Sequence, residues 1–269
     1  MPDRIGDYEL LYPLGAGAAG MVVAVQKDGV KYAMKIIDKD QSPLITYEKV
    51  QKEYAIVKSL EELEGCEKGI ICYRDLFEDE HKIYLVMEFL EGYDLTHIWE
   101  SRELTKQELV QIFSHLALIL SKLHQYGVAH RDVKLENIMF TADKLTFIDF
   151  GLACQMCTVG IIPYGTPRYS PPETWGDVDE PVLIGKDALA VWKKRDVWAL
   201  GVVFYELATN EDYVPDIDDP DLGFRFKLIK HPNVRKIVQY VVNPDPKDRP
   251  TSKMVYDHIN LAKMLTRLK

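Results

Sequence analysis

The segment from His130 to Asn137, HRDVKLEN, places a base, two cations, two acids and an amide within eight positions. Only Val133 and Leu135 are apolar, so a solvated helix face and a catalytic loop would both explain this composition. A second polar segment favours the catalytic loop over the helix face, because Asp149 begins an Asp-Phe-Gly triplet twelve residues after Asn137.

These side chains match the parts that phosphoryl transfer requires. A carboxylate must accept the proton of the attacking hydroxyl, a cation must stabilise the transferred charge, and oxygen ligands must hold Mg²⁺. Asp132 could provide the carboxylate and Lys134 the cation. Asn137 and Asp149 carry the hard oxygen ligands that Mg²⁺ prefers, and these two suffice when phosphate oxygens and waters complete the shell.

A glycine-rich segment near the amino terminus could approach the phosphates. Gly15, Gly17 and Gly20 have the G-x-G-x-x-G spacing between two strand-like segments. A dinucleotide-binding motif with this spacing would open a helix, whereas residues 21–25 are β-like. Glycine lets backbone N–H groups come close to a phosphate, although a flexible surface hairpin has the same composition.

One lysine interrupts an otherwise apolar strand, KYAMKII. Lys35 could be held against nucleotide phosphates by a carboxylate of the following helix, such as Glu48 or Glu53. The alternative is a lysine whose ammonium group simply reaches solvent while its methylene chain packs in the strand.

The composition indicates a folded, water-soluble protein. Of the 269 residues, 47% are hydrophobic and 28% charged, and a chain of this length needs no disulfide scaffold. The net charge of −9 disfavours nucleic acid and anionic membranes as partners and mildly favours basic ones. No segment reaches the roughly 18 apolar residues of a membrane helix. The amino terminus lacks a signal-peptide core, so we expect an intracellular protein, cytoplasmic or with access to the nucleus.

Local patterns predict a β-rich first third followed by a helical remainder. The Asp-Gly pair at 28–29 is a hairpin signal, and Ser-Pro at 42–43 predicts a helix that ends near Leu60. Thr105 and Glu108 form a capping box at the start of another helix. The remaining predicted elements are strands at 8–14, 21–27, 30–37, 70–77, 82–89, 138–141 and 145–148, and helices at 196–207 and 251–269.

Six motifs occur in order: the glycine-rich segment, AMK around Lys35, HRDxKxxN, DFG, GTPRYSPPE at 165–173 and DVWALG at 196–201. Together they resemble a eukaryotic-type protein kinase domain of the serine/threonine branch. The resemblance covers about residues 8 to 267, essentially the whole chain. It implies an α+β, bilobal protein-kinase-like fold. A small β-rich N-lobe (about 1–88) would be joined by a hinge (about 88–94) to a larger, mostly helical C-lobe (about 95–269).

The resemblance also implies which residues bind ATP. Lys35 would contact the α- and β-phosphates, with Glu53 as its ion-pair partner and Glu48 as the alternative. Met87 would be the gatekeeper, and Asp94 would meet the ribose. The other implied contacts are the phosphate-covering loop (Leu14, Gly15, Ala16, Gly17, Ala18, Ala19 and Gly20), the hinge (Glu88 and Leu90) and the adenine sandwich (Val22, Ala33 and Met139).

Further matched positions imply catalytic roles. Asp132 would be the catalytic base and Lys134 the lysine of the γ-phosphate. Asn137 and Asp149 would be the ligands of Mg²⁺, for which Mn²⁺ could substitute. Lys134 and Thr166 are typical of kinases that act on serine and threonine hydroxyls of proteins.

The remaining matched positions concern structure and substrate choice. Glu173 and Arg249 would form a buried, structural ion pair in the larger lobe. Asp94, Glu136 and Glu206 match positions that bind substrate arginines in basophilic kinases, which together with the net charge favours basic protein substrates. Nothing in the sequence indicates an oligomeric state.

The activation segment, residues 154–165 (CQMCTVGIIPYG), departs from the family pattern. Ile162 stands where many kinases carry an activating phosphosite, and Thr158 and Tyr164 supply the hydroxyl side chains of the segment. Arg131 would then not meet the phosphate that this arginine usually contacts. We therefore expect catalysis without phosphorylation of the activation segment.

Two other departures from the family pattern concern a pair of cysteines and the length of one connecting segment. Cys154 and Cys157 form a C-x-x-C pair, which we interpret as two incidental loop thiols. A redox pair is one alternative, and a zinc site completed by Cys66 and Cys72 is another. Residues 174–194 make a longer connection than compact kinases have, and they could form a docking surface or a packed insertion.

Two other classes of protein fit part of the pattern. A pseudokinase is disfavoured because Lys35, Asp132, Asn137 and Asp149 are all present. A small-molecule phosphotransferase would not be expected to carry GTPRYSPPE or DVWALG. Because the sequence ends with the last predicted helix, we expect regulation through partners, abundance, the insertion or the cysteines rather than through a further domain.

Overall fold

The computed structural model describes residues 4–17, 20–65, 68–142, 144–159, 165–175, 182–219 and 221–267. The chain divides into two compact units, Met1–Gly92 and Tyr93–Lys269, here called the amino-terminal and the carboxy-terminal unit. Within the described residues, no helix combines the length and the apolar character needed to cross a bilayer.

The amino-terminal unit is an antiparallel sheet with one helix. Its elements are β1 (Arg4–Ile5), β2 (Tyr8–Gly17), β3 (Gly20–Lys27), β4 (Val30–Asp38), α1 (Tyr47–Glu64), β5 (Tyr73–Glu78) and β6 (Lys82–Glu88), with the strand order β1-β2-β3-β4-β6-β5. Asp28 and Gly29 join β3 to β4 with φ angles of 51° and 76°. Two left-handed residues are what a type I′ turn requires, so the predicted hairpin is confirmed.

Helix α1 begins later than the sequence predicted. The backbone of residues 42–45 forms turns, in which Ile45 donates its N–H to the carbonyl of Ser42. Thr46 is the N-cap, and its hydroxyl accepts the N–H of Lys49 at 3.4 Å. The prediction from Ser-Pro at 42–43 was wrong, because the hydroxyl of Thr46 satisfies the first turn instead.

One face of this sheet forms a hydrophobic core. Its buried residues are Tyr8, Val23, Val25, Met34, Ile36, Tyr84 and Val86. Successive side chains of a strand point to opposite faces, so the residues between these positions occupy the other face. That other face carries several of the predicted ATP contacts.

The carboxy-terminal unit is mostly helical. Its helices are α2 (Leu95–Ser101), α3 (Lys106–Gln125), α4 (Gly185–Thr209), α5 (Pro232–Val241) and α6 (Ser252–Arg267). Two small antiparallel sheets contain β7 (Tyr93–Asp94), β8 (Ile138–Thr141) and β9 (Lys144–Phe147), and β10 (Cys157–Val159) and β11 (Leu183–Ile184). The capping box of α3 is confirmed, since Thr105 and Glu108 each accept the other's backbone N–H with a side-chain oxygen.

Helix α4 runs through the centre of this unit and begins eleven residues before the predicted start at Asp196. Every residue from Arg195 to Leu207 is buried. The additional first turns bury Ala188 and Trp192, and charged neighbours such as Lys193 hide this stripe in the sequence. Within the expected insertion at 174–194, residues 185–194 therefore form the packed first turns of α4.

The predicted structural ion pair is present. Arg249 donates from Nη1 and Nη2 to the two carboxylate oxygens of Glu173, at 2.9 and 2.8 Å. The arginine is 1% exposed and lies 5.1 Å above the ring of Trp198. A bidentate, charge-assisted pair of this kind ties the segment at 165–173 to the helical core.

Candidate active site

Several predicted ATP contacts share one face of the amino-terminal sheet. Val22 lies opposite Lys35 in the β3–β4 ladder, and Ala33 lies opposite Met87 in the β4–β6 ladder. Residues that are directly opposite in antiparallel strands point to the same face, as do residues two apart in one strand. Val22, Ala33, Lys35 and Met87 are therefore on one face, away from the core cluster.

The glycine-rich segment is the end of the β2–β3 hairpin. Gly15 pairs with Val22, and Gly17 pairs with Gly20, so the motif does not open a helix, as predicted. Leu14 and Ala16 are exposed in the same strand. Gly20 has a φ of +132°, and a Cβ there would lie 2.1 Å from the carbonyl oxygen of Ile36. The predicted contacts Ala18 and Ala19 lie outside the described residues.

Burial distinguishes the two candidate partners of Lys35. Glu53 is 7% exposed and lies on the buried face of α1, and its Oε1 accepts a 2.5 Å hydrogen bond from the hydroxyl of Tyr73. Glu48 is exposed in the first turn of the helix. A buried carboxylate must be compensated, which favours Glu53 over Glu48 as the partner.

The expected hinge residues lie at the end of β6 and just after it. The Oε1 atom of Glu88 accepts the N–H of Cys72 at 2.9 Å, and the N–H of Glu88 donates to the carbonyl of Cys72 at 2.9 Å. The side chain of Glu88 thus has a structural role within the sheet. Leu90 is half-buried two residues later.

In the carboxy-terminal unit, the catalytic loop (residues 130–137) brings an acid and a cation together. Lys134 Nζ lies 2.8 Å from Asp132 Oδ2. The hydroxyl of Thr166 donates to Asp132 Oδ1 at 2.8 Å and accepts from Lys134 Nζ at 3.0 Å. Thr166 therefore contacts both Asp132 and Lys134, and it connects their side chains through one hydroxyl group.

Asn137 is hydrogen-bonded to this group, and a backbone contact connects it to the residue before Asp149. Asn137 donates from Nδ2 to the carbonyl and to Oδ2 of Asp132, at 2.9 and 2.8 Å. With its nitrogen engaged as a donor, the amide can act as an acceptor or a cation ligand only through Oδ1. The backbone N–H of Ile148 donates to the carbonyl of Asn137, so the strand before Asp149 is tied to the loop. Asp149 Oδ1 accepts the N–H of Gly151 at 3.0 Å.

An aspartate of α4 holds the backbone of the catalytic loop. Asp196 is 2% exposed and accepts the N–H groups of His130 and Arg131, both at 2.7 Å. It also lies 3.0 Å from Nε2 of His124, whose Nδ1 contacts the hydroxyl of Ser252 at 2.8 Å. From the sequence, Asp196 was known only as the first residue of the DVWALG motif. Its role as an acceptor for two loop amides was not predicted, because 66 residues separate it from His130 along the chain.

His130 belongs to the scaffold of the loop. It is completely buried between the rings of Phe147 and Phe150, with centroid distances of 5.0 and 4.9 Å. Burial lowers the pKa of the imidazole, although the carboxylate of Asp196 opposes this effect. A neutral, packed imidazole fits a structural role.

Two further predicted ATP contacts are neighbours on β7 and β8. Asp94 and Met139 are paired residues of this small sheet. Asp94 is also the N-cap of α2, and its Oδ1 accepts the N–H of His97 at 3.0 Å. One of its oxygens therefore stabilises the helix end.

Glu206 does not occupy an exposed position for substrate arginines, which corrects the expectation. Its side chain is completely buried, and it accepts hydrogen bonds from the hydroxyl of Tyr169 at 2.7 Å and the N–H of Tyr213 at 3.3 Å. Arg168 Nε lies 3.4 Å from Oε1. Burial raises the pKa of Glu206 to about 7, against the lowering effects of Tyr169 and Arg168.

Cys154 and Cys157 form a disulfide, so their interpretation as incidental thiols was wrong. Both are buried, Cys157 as the first residue of β10 and Cys154 three residues before it, a spacing that allows the two side chains to meet. Disulfide sulfurs are not thiolate ligands, and the described residues contain no cluster of three or more His, Cys, Asp or Glu side chains suited to a metal ion. The predicted zinc alternative has no support there, and Cys66 lies outside the described residues.

Comparison with known proteins shows the family of this chain. A family model described as Protein kinase domain matches residues 8–260. The MAP kinase-interacting serine/threonine-protein kinase mnk-1 of Caenorhabditis elegans is 33% identical over 233 aligned residues, covering 78% of this chain and 31% of the relative. Serine/threonine-protein kinase cds1 of Schizosaccharomyces pombe is 34% identical over 214, covering 75% and 44%.

A third relative is similar over more of its own length. A protein of Dictyostelium discoideum named "Probable myosin light chain kinase" is 34% identical over 276 aligned residues, covering 94% of this chain and 83% of the relative. The chain belongs to the protein kinase family, in its serine/threonine branch. It spans about a third of the nematode relative and less than half of the fission yeast one.

Proposed function

We propose that this chain transfers the γ-phosphoryl group of ATP to serine or threonine hydroxyls of proteins. The observation that carries the proposal is the hydrogen-bonded group of Asp132, Lys134 and Thr166, with Asn137 bonded to the same carboxylate. A base, a cation and an amide held together in this way supply the parts that phosphoryl transfer needs.

The roles of these residues follow from their chemistry. Asp132 would orient the substrate hydroxyl and accept its proton, while Lys134 would stabilise negative charge on the transferred group. Asn137 and Asp149 fit a divalent cation, because both offer the hard oxygen ligands that Mg²⁺ prefers. When bound, the cation would neutralise phosphate charge, and we propose Mg²⁺ with Mn²⁺ as a substitute.

In the amino-terminal unit we propose that Lys35 contacts the α- and β-phosphates. Val22, Ala33 and Met87 share its face of the sheet and would pack against the adenine ring. The backbone of the glycine-rich hairpin and of residues 88–90 would supply hydrogen bonds. The apolar composition of this face suits a flat, uncharged base.

A radiolabelled-ATP assay with Mg²⁺ on a serine and threonine peptide array tests the proposal. Asp132→Ala and Asp149→Ala should abolish transfer, whereas the exposed Asp257→Ala on α6 should leave it unchanged. Transfer that survives in both site variants would refute the assignment. Binding of ATP without transfer by the wild type would indicate a pseudokinase, and labelling of small alcohols instead of peptides would indicate a small-molecule phosphotransferase.

We further propose that catalysis does not require phosphorylation of the activation segment. Thr158 lies in β10, which pairs with β11 through backbone hydrogen bonds. Protein made without any kinase that could phosphorylate it should be active. The variant Thr158→Ala with Tyr164→Phe should retain most of its activity, and near-complete loss would sink the idea.

We also propose a preference for basic protein substrates. Exposed Glu136 and the net charge of −9 support it, whereas Glu206 is engaged by Arg168 and would not contribute. On the peptide array, arginine upstream of the acceptor should raise the rate, and Glu136→Gln should reduce that gain. An unchanged preference for arginine in Glu136→Gln would show that this residue does not contribute to substrate choice.

We also propose an intracellular location, on the basis of the sequence alone.

A further inference from the structure

We infer that Trp192 is a positioning residue for the proposed phosphoryl transfer, because its indole ring holds Arg131 of the catalytic loop and strand β10 of the activation segment. The inference rests on the proposed function, since it concerns the residue that keeps the proposed catalytic loop in its active arrangement.

The position of Trp192 on α4 places it beside the catalytic loop. It precedes Asp196 by four residues, and residues four apart lie on the same face of a helix. Asp196 accepts the backbone N–H groups of His130 and Arg131, both at 2.7 Å. One turn earlier, the indole of Trp192 meets the side chain of the same Arg131. The helix thus contacts one loop residue through both its backbone and its side chain.

The side-chain contact is a cation–π interaction. The guanidinium carbon of Arg131 lies 4.5 Å from the centroid of the indole ring. Tryptophan is the most favourable aromatic partner for a cation within about 6 Å, and the interaction strengthens when water is excluded. Trp192 is 5% exposed, so its ring is shielded. Arg195 lies over the same ring at 4.7 Å and adds a second cation from within α4.

The indole also binds the activation segment directly. Its Nε1 donates a 2.9 Å hydrogen bond to the carbonyl of Thr158, at the centre of β10. Thr158 pairs with Ile184, and Cys157 forms a bridge with Gly185 at the start of α4. A single side chain therefore contacts the catalytic loop and the strand that follows the Asp-Phe-Gly triplet.

Apolar packing around the ring joins the same two segments. The buried cluster that contains Trp192 also includes Ala129, Cys154, Cys157, Val159 and Ala188. Ala129 and Cys154 exchange two backbone hydrogen bonds of 3.0 and 2.9 Å, which connect the residue before the catalytic loop to the activation segment. This cluster packs the residue before the catalytic loop against the activation segment.

The backbone of Arg131 needs such support. Its φ is 70°, in the left-handed region that is costly for a residue with a Cβ. A conformation of this kind persists only where the surroundings hold it from several sides. Arg131 immediately precedes Asp132, so relaxation of Arg131 would move the proposed base. We expect loss of the indole to lower kcat and to leave the KM for ATP nearly unchanged.

Two substitutions of Trp192 and one control separate positioning from general stability. Trp192→Leu removes the π-system and the N–H but keeps an apolar side chain, whereas Trp192→Phe keeps an aromatic face. Ile237→Ala creates a cavity in α5, where Ile237 is 2% exposed and lies outside the Trp192 cluster. All are compared at temperatures equally far below their own Tm, by kcat, by the KM for ATP and by hydrogen exchange of residues 128–137 and 157–159.

The expected result is a fall in kcat of about 10-fold or more in Trp192→Leu, with partial recovery in Trp192→Phe and a KM for ATP within about twofold. Exchange in both segments should accelerate in Trp192→Leu and not in Ile237→Ala. Fluorinated tryptophans at 192 keep the size of the ring but weaken its negative face, so log kcat should fall with each added fluorine.

Two outcomes would overturn the inference. The first is kinetics and exchange in Trp192→Leu that match Ile237→Ala, and the second is a uniform rise in exchange across the whole carboxy-terminal unit. Failure of the proposed function is a separate result, since it would appear as a wild type that transfers no phosphate. Hydrogen exchange of the two segments decides the role of Trp192 even then.

Discussion

The hydroxyl of Thr166 donates a 2.8 Å hydrogen bond to Asp132, although 34 residues of sequence separate them. The same oxygen accepts a 3.0 Å bond from Lys134. A hydroxyl can donate and accept at once, so it fixes the distance between the acid and the cation. The arrangement makes the reactive geometry depend on a residue that has no proposed chemical role of its own.

Removing this hydroxyl should lower the rate more than the stability. Thr166→Val keeps the shape of the side chain but loses both hydrogen bonds, so we expect kcat to fall about 10- to 100-fold because Asp132 and Lys134 are no longer held in place. Thr166→Ser keeps the hydroxyl and should retain most activity. Steady-state kinetics with a peptide substrate measure the difference. Equal kcat values for the valine and serine variants would contradict this role.

The glycines of the phosphate-covering loop should differ in their response to alanine. At Gly20 a Cβ would lie 2.1 Å from the carbonyl of Ile36 and φ is +132°, so Gly20→Ala should destabilise the protein by about 2 kcal/mol or more. At Gly15 a Cβ would meet no described atom within 4 Å. We expect Gly15→Ala to change the free energy of unfolding by less than about 0.5 kcal/mol.

The Gly15→Ala variant then isolates the effect of a methyl group on nucleotide binding. If backbone N–H groups there approach the phosphates, the KM for ATP should rise while stability is unchanged. Denaturant unfolding and ATP-dependent kinetics on both variants provide the two measurements. Equal loss of stability in the two variants would show that both positions of the hairpin require glycine, and that the close contact between Gly20 and the carbonyl of Ile36 is not the reason.

The ion pair of Glu173 and Arg249 should contribute strongly to stability. Glu173→Gln leaves the buried guanidinium of Arg249 without its carboxylate, whose side chain is 21% exposed, so we expect a loss of up to about 3–5 kcal/mol, the typical cost of breaking a fully buried pair. Lys230→Met breaks an exposed pair with Glu103, in which both side chains are 67% exposed, and should cost less than about 1 kcal/mol. Urea unfolding of the two variants gives the comparison. Similar losses of unfolding free energy in both variants would mean that the pair of Glu173 and Arg249 contributes no more to stability than the exposed pair.

Glu206 should make stability depend on pH in a direction opposite to that of an ordinary paired carboxylate. Its pKa is raised from 4.5 to about 7 because the carboxyl group is buried, although the hydroxyl of Tyr169, the guanidinium of Arg168 and the N–H of Tyr213 act to lower it. The folded state therefore binds this proton more tightly than the unfolded state does. The stabilisation is complete below pH 4.5 and is lost as the pH rises through about 7, and it amounts to about 3 kcal/mol.

Glu206→Gln removes this titration while leaving an oxygen for the hydroxyl of Tyr169. The Tm of the glutamine variant minus that of the wild type should therefore increase from pH 5 to pH 8. Differential scanning calorimetry in buffers of constant ionic strength measures this difference, and other titrating groups cancel in it. Parallel Tm curves over this pH range would show that Glu206 does not titrate there.

The proposed catalytic residues could be predicted because their spacing is short. Asp132, Lys134 and Asn137 fall within six consecutive positions, and a loop of that length brings Lys134 and Asn137 within hydrogen-bonding distance of Asp132. The hairpin at residues 28–29 and the capping box at Thr105 were also predictable, because each depends on the φ angles or the hydrogen bonds of adjacent residues.

Helix boundaries were less predictable, since several acceptors compete for the same first turn. Ser42 and Thr46 are both good N-caps, and in the structure the hydroxyl of Thr46 accepts the N–H of Lys49. The start of α4 at Gly185 was missed because lysines surround its two buried residues. The disulfide of Cys154 was missed for a related reason, since a C-x-x-C spacing permits a bond without requiring it.

The sequence by itself determined the family, and it predicted the proposed catalytic loop and the proposed metal-binding oxygens, because those depend on residue types at short, ordered spacings. Only the tertiary structure decided that Glu206 is buried, that Asp196 holds two loop amides and that Trp192 lies against Arg131. Each of these contacts joins residues distant along the chain, and packing of α4 against the loop brings them together. No local pattern specifies which distant side chain a helix face will meet.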